Sequence, residues 1–120
     1  MDGGDIAVKT NGEMQTVWRR DGTIYSGKPG LEPEKIIGRG EQPSIVAASN
    51  GYFITWVDRR GGDLFMLNPT STNPITIATK ASDPILAGPV SGSGPLVLVW
   101  ESKDGSDSSI RLTVVPRDAR

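Results

Sequence analysis

The chain has 120 residues, with 13 Lys and Arg against 14 Asp and Glu, so its net charge of -1 provides no overall field to hold nucleic acid or an anionic membrane. It has no Cys and no His, which excludes disulfides, thiol chemistry, Ser-His-Asp and Cys-His catalysis, and metal sites built on thiolate or imidazole. The length suits one domain, and 15 Gly and 9 Pro between short apolar runs point to many strands joined by tight turns.

In chain order, the first apolar run is DIAV (Asp5 to Val8), closed by Asn11-Gly12, a pair that predicts a type I′ hairpin turn. MQTVWRR and GTIYSG follow as second and third strands, and the third closes toward Pro29, because proline lacks the N–H that a ladder needs. EKIIGRG supplies a fourth strand. The pattern then starts again. SIVAASNG, from Ser44, aligns without gaps on DIAVKTNG, placing Ile45 on Ile6 and Asn50 on Asn11. YFITWVDR and GDLFMLNP follow, closing at Pro69, and ITIATKA aligns on EKIIGRG with Ile77 on Ile36 and Lys80 on Arg39. Gln42-Pro43 and Asp83-Pro84 open the second and third units. The third continues through an SGSG turn, LVLVWES and SSIRLTVVP, which closes at Pro116.

The period is about 41 residues, with Trp18, Trp56 and Trp100 recurring in the second strand. No window carries a helical apolar stripe without Gly or Pro, and Val, Ile and Thr dominate the runs, so the expectation is all-β. Four antiparallel strands per unit of about 40 residues is the arrangement of a β-propeller blade. The units run over residues 5–40, 41–81 and 82–116 of a single partial propeller, the last lacking its outer strand, and the tryptophans read as packing between units.

The run of strand, Asn-Gly, strand with Trp56-x-Asp58-x-Arg60, then Gly62-Asp63-Leu64-Phe65 and a proline, resembles the blades of sialidase-like propellers of the bacterial neuraminidase-repeat type. The likeness spans nearly the whole chain. It departs from those families in lacking the Asp-box: the corresponding turns read KPGLEP and NPTSTNP. The resemblance implies the C-terminal part of a larger propeller; the compartment stays open, a secreted or periplasmic parent being one alternative, and MDGGDIAV has no export-signal pattern.

Fewer than three full blades cannot close a ring, because an open arc leaves two apolar faces wet. The expected partners are therefore a second copy of the chain or the missing part of its own parent.

Antiparallel order sends alternate turns to opposite ends of each unit. One end gathers Gly, Ser, Asn and Pro; the other gathers charge from the second-to-third turns and the links between units. Arg20, Arg39, Asp58, Arg59, Arg60 and Asp83 form the candidate ligand face there, suited to a glycan or a protein loop, while such charge equally serves to keep strand ends soluble. The resemblance also suggests an alternative, the C-terminal half of a sialidase-like glycoside hydrolase. Arginines and Tyr25 are present, but no motif carries catalytic roles onto numbered positions. No catalytic, cofactor or metal residue is assigned, and the expected function is a non-catalytic scaffold for binding or assembly. KDGSDSS from Lys103 reads as a solvated hairpin, not a calcium loop.

Overall fold

The structure is a computed structural model that describes residues 3–30, 33–89 and 94–116. The expected KPGLEP and SGSG turns therefore lie partly outside the described residues. Within them the chain forms ten strands and no helix: β1 (Gly4–Val8), β2 (Met14–Arg20), β3 (Thr23–Gly27), β4 (Lys35–Arg39), β5 (Glu41–Ala48), β6 (Gly51–Val57), β7 (Gly62–Leu67), β8 (Ile75–Ala87), β9 (Leu96–Asp104) and β10 (Asp107–Val115). β3, β7 and β10 each stop one or two residues short of the prolines expected to close them.

All pairing is antiparallel, in two sheets. The first runs β1-β2-β3-β4 and coincides with unit one. The second is a continuous meander, β5 to β10, that curls into a half-barrel. Units two and three are thus joined in one sheet, and the expected boundary between Ala81 and Ser82 falls inside β8. Ala81 pairs with Gly62 of β7 on one side and with Ser102 of β9 on the other.

The corresponding link between units one and two behaves differently at a single residue. Gly40 stands where Ala81 stands one repeat later, with φ at 148°, and a Cβ there would lie 2.2 Å from the Val57 carbonyl oxygen. The backbone passes too close to β6 for a side chain and leaves the first sheet before entering the second. Past each link comes a residue in the left-handed region immediately before proline, Gln42 (φ 59°) and Asp83 (φ 55°), and the ladders shift register there. Pro43 and Pro84 are tolerated within strands because they sit at these bulges.

The hairpins correct one expectation. Neither Asn11 nor Asn50 has positive φ, so neither Asn-Gly pair forms a type I′ turn. Val8 pairs with Met14 across a five-residue loop in which the Asn11 side-chain oxygen accepts the Glu13 N–H, an Asx turn that outcompetes the hairpin geometry. The turn with both central residues at positive φ is Asp21-Gly22, between Arg20 and its partner Thr23.

Two cores result. Ala7, Val17 and Ile24 of the first sheet pack against Ile45, Ile54 and Trp56 of the second. Within the curled sheet, Phe53, Val57, Leu64 and Met66 meet Leu86, Leu96, Leu98 and Trp100 across the bend in β8. Trp56 (2% exposed) is buried against the first sheet, and Trp100 (7%) within the curled sheet. Trp18 occupies the same position in unit one, where it stacks on Tyr25 with ring centroids 6.0 Å apart and is only partly covered.

The innermost strands form a polar seam. The Asp5 carboxylate accepts the Ile45 N–H at 3.0 Å, and one repeat later the Ser44 hydroxyl accepts the Leu86 N–H at 3.1 Å. Each unit offers a side-chain oxygen to the backbone of the next, satisfying edge-strand donors that would otherwise be buried unpaired.

Candidate functional site

The charged end is built by the second-to-third turns and the links. There Arg60 donates two hydrogen bonds to the Asp83 carboxylate, at 2.8 and 3.1 Å, in a forked pairing. Gln42 completes it, its amide N–H donating to Asp83 Oδ1 at 2.6 Å while its amide oxygen accepts the Asp83 N–H at 2.8 Å. Gln42 and Asp83, each the residue before a proline, thus bind one another. Among the described residues the four non-glycine positions with positive φ, Asp21, Gln42, Lys80 and Asp83, all lie at this end. The links hold that strain because the neighbouring pairs fix both sides of it.

The other expected site residues are distributed around this pair. Asp58 turns inward to accept the Asp63 N–H at 2.8 Å, in space left by Gly62, where a Cβ would fall 1.9 Å from the carboxylate. Arg59 pairs loosely with Asp58 at 3.5 Å, and the Arg39 guanidinium lies beside Gly22. Arg20 is elsewhere: it folds back over the Tyr25 ring, 4.2 Å from its centroid, and pairs with Glu34. The hydrogen bond to Glu34, followed by that to Tyr25, raises its pKa further above an already high value. The structure thus brings Arg60 and Asp83 together, places Asp58, Arg59 and Arg39 around them, and turns Arg20 along the outer face of the first sheet.

A groove of about 450 Å³ is lined by Lys80, Lys103, Arg111, Ser102, Asp104 and Trp100 with the edge of β8, and includes none of the six expected site residues. Lys80 and Asp104 pair at 3.9 Å across exposed positions, a weak contact. The Trp100 indole N–H is buried beneath the groove without a hydrogen-bond partner. Sequence reasoning singled out neither Arg111 nor Trp100 as binding residues. The available signal was Arg111 in the middle of SSIRLTVVP, on the face of β10 opposite Ile110 and Leu112 and directly paired with Trp100.

At the other end of the inner strands, β1, β5 and the residues after β8 enclose a groove of about 480 Å³ that includes Lys9, Thr10, Asn11 and Ser49. Nearby, Glu13 pairs with Lys9 (3.7 Å) and Lys28 (3.9 Å) and accepts a hydrogen bond from the Tyr52 hydroxyl. Burial first, and then the Glu13 carboxylate, push the Tyr52 hydroxyl up to about 12.

The arrangement can recognise a ligand by charge and hydrogen bonding. Among the described residues, no cluster of three or more His, Cys, Asp or Glu could hold a metal ion. No protein-family model matches the chain, and no curated protein sequence matches it at a significant level.

Proposed function

We propose that the chain is a non-catalytic segment of a β-propeller-like stack, a scaffold whose charged end binds an acidic ligand of the glycan or protein-loop class. The observation that carries this reading is the groove in which Lys80, Lys103 and Arg111 share one lining with Trp100. Basic groups over an aromatic floor suit a carboxylate- or sulfate-bearing sugar, or an acidic loop. The stacking of consecutive units, with their tryptophans on the same face, supports the propeller-like part of the reading. For the sialidase-like alternative no catalytic role is assigned to any residue, and Tyr25 stacks on Trp18 beneath Arg20.

The test is an array of sialylated, uronate-containing and sulfated glycans, together with acidic peptides, probed with the wild type and with Lys103→Ala/Arg111→Ala. Binding lost in the double variant, with the far-UV spectrum unchanged and no product released from a fluorogenic sialoside, is the expected result. Binding that survives the substitutions, or turnover of the sialoside, overturns the proposal.

A further inference from the structure

Each unit has two faces, and the repeat makes them comparable. The forward face of unit two, with Ile45 and Trp56, is buried against unit one, and that of unit three, with Leu86 and Trp100, against unit two. The forward face of unit one carries Ile6, Met14, Trp18 and Ile36, and among the described residues no other strand packs on it: Ile6 is 50% exposed and Ile36 67%. The rear faces of units one and two are likewise buried. The rear face of unit three is not. There the register aligns Ile85, Val99 and Leu112 in one row and Ala87, Val97 and Val114 in the next, with Leu112 62% exposed. Two exposed, largely apolar sheet faces are thus of the two kinds that pack on each other once between the two sheets and once across the bend of the curled sheet.

The polar seam matches this pairing. At each internal contact the rear residue supplies an oxygen, Asp5 or Ser44, to a forward N–H, that of Ile45 or Leu86. The third residue in that series is Ile85, 61% exposed, which has no side-chain oxygen to offer. The forward N–H that would meet it belongs to Ile6, and this one is already satisfied by the Asp5 carboxylate of its own strand at 2.9 Å. An apolar residue therefore faces a donor that needs no acceptor, and the contact leaves no buried N–H unpaired.

We propose that two copies of this chain associate head to tail, the rear face of unit three in each copy packing on the forward face of unit one in the other, with Ile85 against Ile6. This deepens the scaffold reading and rests on its stacked units, but not on its ligand. The two contacts, Ile85 on Ile6 and Ile6 on Ile85, are related by a two-fold axis and close the assembly.

Sedimentation equilibrium at micromolar concentration tests it. The wild type is expected at twice the 12.8 kDa chain mass. Ile6→Lys and Ile85→Glu, each at an exposed position, are expected to halve that mass singly, with far-UV spectra unchanged. An equimolar mixture of the two is expected to recover it, because Lys then faces Glu at one contact and the other contact is wild type. A monomeric wild type, a dimer that survives Ile6→Lys, or a ladder of longer oligomers overturns the proposal. Lys103→Ala/Arg111→Ala lies on the opposite face of β9–β10 or at its tip and leaves the mass unchanged, so failure of assembly and failure of ligand binding are read separately.

Discussion

Trp56 and Trp18 occupy the same place in consecutive units, each beside an aromatic partner on the neighbouring strand, yet Trp56 is almost fully buried and Trp18 is not. The difference lies outside the unit. Trp56 is covered by Val17 and Ile24 of the preceding sheet, whereas unit one has no preceding sheet in the structure. A face made for packing is thus not the same as a face that is packed. The apolar pattern within a unit sets only the first.

The largest effect expected from this comparison is on stability. Trp56→Ala opens a cavity between the two sheets and should cost about 3–5 kcal/mol in urea denaturation. Trp18→Ala, measured in dilute protein, should cost about 1 kcal/mol, the size of a lost aromatic pair. Equal losses at the two positions would mean that the first sheet does not cover Trp56 in solution.

A smaller effect uses Tyr52, which stands on the covered forward face of unit two and reaches Glu13 of unit one. Its folded pKa is raised from the ordinary 10.0 to about 12 by burial and then by Glu13, so the fold favours the neutral phenol. That contribution is fully present below pH 10 and is lost as the pH rises from 10 toward 12, because the unfolded chain ionises first. Tyr52→Phe should flatten this alkaline loss of stability in thermal melts taken across that range. An alkaline slope unchanged in the variant would separate Tyr52 from the contact between units.

Much of the fold was legible in the residues. Alternating runs marked the strands, and Pro29, Pro69 and Pro116 marked where ladders stop. The fusion of units two and three was not legible, because the links differ by one small residue: Ala81 admits continuous pairing where Gly40 lets the backbone break away. The type I′ turn was misplaced because Asn11 spends its side chain on an Asx turn, while the aspartate of Asp21-Gly22 takes the left-handed conformation.

The charged end could be sorted from topology alone, but not its internal pairing. Arg60, Asp83 and Gln42 meet through a link and a turn separated by two strands, and no local pattern announces that geometry. The long side chain of Arg20 was free to leave that end, and the Tyr25 ring and Glu34 drew it along the sheet. Arg111 lay hidden in an apolar run whose alternation drew attention to its neighbours.

The central claim is that consecutive units are stitched along their inner strands by a side-chain oxygen of one and an N–H of the next. Amide hydrogen exchange, resolved by residue, tests it most directly. Asp5→Ala is expected to speed exchange at Ile45 and leave Leu86 unchanged, and Ser44→Ala to do the reverse, each donor losing its acceptor at a cost of about 1–3 kcal/mol. Exchange at both amides that ignores both substitutions would contradict the seam, and with it the head-to-tail order of the units.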